Sequence, residues 1–331
     1  MTTRDRCLGL VVVLLWGVNF IAIHLGLDHF PPFFFAALRF AVMALPVMLF
    51  VGFPRVRIGW FLLYGAGFGT LQFAFLFLAM HVGMPTGLAS LVLQTSAPFT
   101  VILGVLFLRE RMNPLQTLGI VAAVGGMALI AVDQATGTSA GVGALIPIGL
   151  TVLAGLSWAV GNIAGRMARP DDALRMTLWM SVIPPIPLYL LSLIVEGPGA
   201  GFHAMATLGS HSGLAALGGL TYLVVLGTIA GAGIWMSLIA HYEASRVAPL
   251  SLLVPVVGIS ASWALLGEAP TVIALIGAAI VIVGCATGVL AAPVSRPRAP
   301  SAQASRDPIA STMRSTPARA PALSSVMLTK P

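Results

Sequence analysis

Residues 89–126 read ASLVLQTSAPFTVILGVLFLRERMNPLQTLGIVAAVGG, and residues 248–284 read APLSLLVPVVGISASWALLGEAPTVIALIGAAIVIVG. Each passes from a Leu-rich apolar run through a proline and a glutamate into a run punctuated by glycine. Pro98 precedes Glu110 by twelve residues and Pro255 precedes Glu268 by thirteen, while Gly119 and Gly126 return as Gly277 and Gly284 at one common offset. Nearer the start of each copy, Trp16-Gly17-Val18-Asn19 is echoed by Trp158-Ala159-Val160-Gly161-Asn162, with one residue inserted. We read the chain as two halves, residues 1–133 and 142–292, followed by a tail, residues 293–331.

The medium of these halves follows from composition. Of 331 residues, 58% are apolar and 8% charged, against about 25% charged in soluble domains, which excludes a soluble fold. A hydrocarbon core of ~30 Å needs about 20 apolar residues per helical crossing. Ten stretches qualify: 8–27, 33–52, 58–80, 86–108, 114–131, 142–165, 174–195, 214–240, 248–266 and 271–291. Helices are expected throughout, because in lipid such runs satisfy their backbone polar groups internally. The first run belongs to the repeat and lacks a small-residue cleavage site, so it is not read as a signal peptide.

Basic residues accumulate on the cytoplasmic side of membrane helices, which tests the count. With the N-terminus inside, sixteen of the seventeen Lys and Arg residues fall in cytoplasmic segments: Arg4, Arg6, Arg55, Arg57, Arg109, Arg111, Arg166, Arg169, Arg175, Arg246 and six in the tail. The opposite loops carry Asp28, Asp133, Glu196 and Glu268 with His29, His81, His203 and His211. The expected fold is an all-α integral membrane protein of ten transmembrane helices, with both termini cytoplasmic. Five helices per half is an odd number, so the second half inserts upside down. Inverted repeats of this kind are the architecture of secondary transporters, whose solute site lies near the midplane between halves. Duplication retained by a membrane receptor or enzyme is the competing reading.

The tail holds five of the seven net positive charges. Rich in Pro, Ala and Ser, it has too little apolar surface to offset the cost of ordering and is expected to be disordered, either solvated or resting on anionic lipid. Nucleic acid is not an expected partner; the lipid bilayer and a small solute are. Cys7 and Cys285, the two cysteines, build neither a disulfide framework nor a four-ligand zinc site, and no cofactor is expected.

Charge in hydrocarbon is costly and persists mainly for function. All ten carboxylates fall in loops, tail or helix ends, so no acid, base and nucleophile set is expected at membrane depth, which disfavours an embedded enzyme. Arg39 is the one intramembrane cation, about 9 Å along span two from its outer start, and span seven offers no counterpart. It is read either as a bidentate holder of a solute carboxylate or as an arginine snorkelling to the interface. Uncharged polar residues in the spans are Asn19, Gln72, Gln94, Thr95, Ser96, Asn162, Ser237 and Ser260, with Trp16, Trp158, Tyr222 and Trp235 among them. Trp16 with Asn19, and Trp158 with Asn162, share a helix face by spacing and suit a pocket wall; interhelical hydrogen bonding is the alternative. His24 is a candidate for proton coupling. Prolines such as Pro46, Pro98, Pro184 and Pro255 are expected to kink their helices.

The stretches Trp16-Gly17-Val18-Asn19-Phe20, Pro31-Pro32 followed by Leu38-Arg39-Phe40, Gly83-Met84-Pro85, and Arg246-Val247-Ala248-Pro249-Leu250 through Pro255 to Gly258 resemble the EamA family of the drug/metabolite transporter superfamily. The resemblance covers roughly residues 5–292. It implies ten helices in two inverted halves and export of small amino-acid-like metabolites; residues 83–94 and 246–258 are most similar to members that export O-acetylserine and cysteine. An exporter of other amino acids or of toxic hydrophobic metabolites is the alternative. Trp16, Asn19, Arg39, Gln72, Gln94, Trp158 and Asn162 are the expected solute-binding residues.

Overall fold

The computed structural model describes residues 2–109, 114–137, 143, 145–241, 250–251 and 253–290. Regular structure among them is entirely helical. The tail lies outside the described residues, as do Glu110, Arg111 and Arg246. Among the described residues, seven segments have the length and apolar composition to cross a membrane: α1 Thr3–Leu27, α2 Pro32–Phe50, α3 Ile58–His81, α4 Thr86–Leu108, α6 Leu145–Ala168, α7 Leu174–Val195 and α8 His211–Trp235. Three more helices, α5 Pro114–Gly137, α9 Val254–Leu266 and α10 Val272–Leu290, contain shorter apolar stretches.

Local chemistry sets where these helices start and bend. The Thr2 hydroxyl accepts from the Asp5 N–H to open α1, and the Ser210 hydroxyl accepts from the Gly213 N–H to open α8, both ordinary N-caps. Helices α2 and α4 begin after Pro31 and Pro85, which offer no side-chain acceptor. Their free N–H groups are met by glutamates far along the chain. Glu196 accepts from Phe33 at 2.6 Å and Phe34 at 3.1 Å, and Glu268 accepts from Gly87 at 3.1 Å. Pro98 lacks the N–H that would bond the Gln94 carbonyl in an α-helix. The Cys285 thiol lies 3.8 Å from that carbonyl instead, and the chain tightens into a 3₁₀ turn at Leu93–Thr95. The proline cluster at 184–187 breaks α7 between Met180 and Pro185, whereas α2 continues through Pro46. Asp133 departs from the loop reading: no Gly or Pro intervenes before Gly137, so α5 runs past it, and its buried carboxylate accepts from the Thr271 hydroxyl at 2.6 Å.

Side chains are distributed as lipid immersion requires. Phe30, Phe35, Phe40 and Phe77 are fully buried between helices, while Leu49, Phe50 and Ile194 are 75%, 83% and 81% exposed. In water such exposed apolar surface would drive aggregation; in hydrocarbon it is the solvent-facing side.

The helices interlock between distant parts of the chain. Helix α1 packs mainly against α8 and α9, α6 mainly against α3 and α4, α2 against α7, and α5 against α10. The repeated glycines make the last contact possible. A methyl group on Gly126 would meet the Gly277 carbonyl, one on Gly277 would meet the Gly126 carbonyl, and one on Gly284 would meet that of Gly119. Positions rise along α5 as they fall along α10, so the two helices run antiparallel at backbone contact.

Two segments depart from α-helix to π-helix, Gly65–Leu71 within α3 and Tyr222–Ala230 within α8. Such segments are rare and concentrate at functional sites. In each, a threonine hydroxyl donates to the carbonyl five residues back: Thr70 to Gly65 at 3.4 Å and Thr228 to Leu223 at 2.7 Å. The dipeptides Gly69-Thr70 and Gly227-Thr228 are 158 residues apart, the offset that also relates Gly119 to Gly277.

Candidate functional site

Each π segment packs against a Trp-bearing helix from a distant part of the chain, α8 against Trp16 and Asn19 of α1 and α3 against Trp158 and Gly161 of α6, giving two comparable centres. At the α8 centre the Trp16 indole N–H donates to the Gly227 carbonyl at 3.0 Å, and Trp16 lies 5.1 Å from Trp235 by ring centroids. Asn19 Oδ1 presses on Gly227, where any Cβ would collide with it. The Tyr222 hydroxyl donates to the Leu15 carbonyl at 3.0 Å.

Arg39 reaches the same point from α2. The residue is 6% exposed, and its guanidinium stacks over Phe73 at 4.3 Å and donates from Nη2 to the Thr228 hydroxyl at 3.2 Å. The snorkelling alternative therefore does not describe this side chain, whose charged end turns inward. Inserting an arginine at membrane depth costs roughly 2.5–3.5 kcal/mol on translocon scales. A desolvated cation–π contact returns about 2, and a hydrogen bond from a charged group about 1.5–3. These contacts are enough to hold the charge while leaving Nε and Nη1 without a partner among the described residues. Asn19 Oδ1 and, on α3 just past its π segment, Gln72 Oε1 are buried and likewise without a partner among the described residues. The α8 centre thus brings spare donors of Arg39 and a spare acceptor of Asn19 into an otherwise apolar interior, where each costs free energy until something bonds it.

The α3 centre is built differently. Trp158 packs edge-on to Phe68 at 5.6 Å, and Gly67 and Gly161 bring the two backbones together. Asn162 spends its amide on the Thr100 hydroxyl at 3.1 Å, which itself donates to the Ser96 carbonyl. Gln94 donates to the Ser251 carbonyl at 3.4 Å, an interhelical link. Of the seven expected residues, the fold brings Trp16, Asn19 and Arg39 onto Gly227 and Thr228, sets Gln72 beside Phe73, and places Gln94, Trp158 and Asn162 elsewhere. Thr228 and Phe73 were not expected; the repeated Gly-Thr dipeptide was the sequence signal for the former.

His24 lies 3.8 Å from Asp28 at the end of α1, with both side chains partly exposed. A cavity of about 690 Å³ opens nearby, lined by Asp28, His29, His81, Glu196 and His203 among others. None of the seven expected residues lines it. Among the described residues no group of three or more His, Cys, Asp or Glu side chains is arranged to hold a metal.

The model of the EamA-like transporter family matches residues 6–132 and 145–289. Over 288 residues, covering 86% of this chain and 94% of the relative, the sequence is 40% identical to a protein of Escherichia coli K12 named "Probable amino-acid metabolite efflux pump". A protein of the same name from Salmonella typhimurium LT2 shows the same identity and coverage. A "Probable terminal-alkyne amino-acid exporter" of Streptantibioticus cattleyicolor is 28% identical over 284 residues, 83% of this chain and 89% of that protein.

Proposed function

The chain belongs to the EamA-like transporter family, and we propose that it exports small amino-acid-like metabolites of the O-acetylserine and cysteine kind, by alternating access between two inverted halves. It is a multi-pass protein of the cytoplasmic membrane and a transporter rather than an enzyme. In this reading residues 1–133 and 142–292 are the halves, each of five spans, with both termini cytoplasmic. The reciprocal contacts of Gly126 with Gly277 and Gly119 with Gly284 support the inverted arrangement, because a twofold axis between repeats makes each contact occur twice.

The observation that carries the solute assignment is the set of unpartnered buried atoms at the α8 centre. Spare N–H donors on Arg39 suit a carboxylate; the spare oxygen on Asn19 suits an ammonium group. An α-amino acid presents both within one small molecule. Trp16 shapes the wall, while Trp158, Asn162 and Gln94 are spent on the contacts that hold helices together and take no part in holding the solute. The printed names of the relatives, which concern amino-acid metabolites, support the same class.

The test is uptake of labelled cysteine and O-acetylserine into liposomes carrying the purified protein, against other amino acids, with and without a pH gradient. Saturable flux favouring these two is expected. No flux of any amino acid from folded protein would remove the solute assignment, and dependence on the gradient would establish proton coupling, for which His24 is the candidate.

A further inference from the structure

We infer that Thr228 is a positioning residue: its hydroxyl, held in place by the π segment of α8, sets the orientation in which Arg39 meets the solute. This rests on the reading of Arg39 as the carboxylate ligand.

Three observations converge. The Thr228 hydroxyl donates to the Leu223 carbonyl at 2.7 Å, so its proton is committed along its own helix. What it presents to Arg39 is therefore a lone pair, and Arg39 Nη2 donates to it at 3.2 Å. Second, Phe73 lies under the guanidinium carbon at 4.3 Å. A ring face restrains the distance of a guanidinium, but leaves it free to turn in its own plane. The single in-plane bond to Thr228 stops that turning, and Nε and Nη1 then hold fixed directions. Third, the carbonyl that Thr228 bonds lies five residues back, the spacing of a π turn. In an α-helix a threonine hydroxyl reaches back three or four residues. The irregular winding thus appears in the hydrogen bond that aims the hydroxyl, which ties a costly backbone feature to a side-chain direction.

The repeat provides an internal contrast. Thr70 makes the same five-residue bond to Gly65, at 3.4 Å, yet the only arginine of α7, the span corresponding to α2, is Arg175 at its very start, beside Asp172. The threonine is thus part of the duplicated helix, and the α8 copy alone has been joined to a charge.

The experiment compares Thr228→Val, which keeps the shape and loses the acceptor, with Thr228→Ser, which keeps the acceptor. Both are measured in proteoliposomes with labelled cysteine and O-acetylserine. Thr228→Val should raise KM roughly tenfold, the loss expected for a hydrogen bond to a charged group, with maximal flux within about twofold, a bound we set from a defect confined to binding. Thr228→Ser should restore KM. In an Arg39→Lys background Thr228→Val should add nothing, since the guanidinium it orients is gone. Unchanged KM in Thr228→Val, with transport lost in Arg39→Gln, overturns the positioning role and leaves the proposed function standing. Unchanged transport in Arg39→Gln overturns both. Should the wild-type protein carry neither solute, or Thr228→Val fail to fold, the reaction of Arg39 with phenylglyoxal, followed by peptide mass spectrometry, decides, using Thr228→Ala in the second case. Release of the guanidinium predicts faster modification than in wild type, and equal rates overturn the inference.

Discussion

The α8 and α3 centres share one pattern and differ in whether their buried polar atoms find partners. Both pair a π segment carrying Gly-Thr with a helix carrying Trp and Asn. At the α3 centre the Asn162 amide donates to Thr100 and the backbones close together through Gly67 and Gly161. The α8 centre holds a charge, and buried atoms of Asn19 and Arg39 have no partner among the described residues. Residues needed only for packing would be satisfied at both centres alike. The contrast supports the proposal that the solute is held at the α8 centre, where polar atoms remain spare.

The most severe test of that contrast removes the charge. Arg39→Gln is expected to abolish measurable transport, and Arg39→Lys to leave a small fraction, because an ammonium keeps the charge but loses the planar fork. Residual flux near wild type in Arg39→Gln would erase the distinction between the centres.

Two glycine substitutions sharpen it. A Cβ at Gly67 would meet backbone atoms of Ser157 and Gly161, which cannot retreat, while one at Gly227 would meet the tip of the Asn19 side chain. Gly67→Ala should cost about 1–3 kcal/mol of stability, read as an earlier thermal unfolding in detergent. Gly227→Ala should unfold nearer to wild type, yet transport poorly because Asn19 is displaced. The reverse ranking would mean that the α8 centre, too, serves packing first.

Smaller effects are expected from the proline-led helices. Glu268→Ala removes the acceptor that meets the Gly87 N–H and should cost about 1 kcal/mol, the usual value of a lost N-cap, seen as a modest fall in unfolding temperature. Smallest of all should be the joint replacement Asn162→Leu with Thr100→Val. Removing both partners of a buried hydrogen bond is close to neutral, and a large loss of transport would place solute contact at the α3 centre after all.

Much of the helix pattern could be read from apolar length alone, since a lipid solvent leaves a long run little choice. The run at 8–27 becomes α1, Thr3–Leu27, and the run at 86–108 becomes α4, Thr86–Leu108. Features decided by distant partners were hidden. Glu196 and Glu268 read as loop acids, but they cap helices whose proline starts lack an acceptor, across 163 and 181 residues of chain. The π winding has no propensity signature; only the recurrence of Gly-Thr at the repeat offset hints at it. For the site, polarity marked the candidates and position did not. Asn19 and Gln94 are both amides in apolar runs, and only packing leaves the first with a spare oxygen and gives the second to the Ser251 carbonyl.

The most direct measurement is flux of labelled O-acetylserine in liposomes for three proteins of matched folding: wild type, Arg39→Gln, and the Asn162→Leu/Thr100→Val pair. The account predicts saturable flux in the first, none in the second, and flux close to wild type in the third. Equal flux in wild type and Arg39→Gln would contradict the claim that the solute is held at the α8 centre.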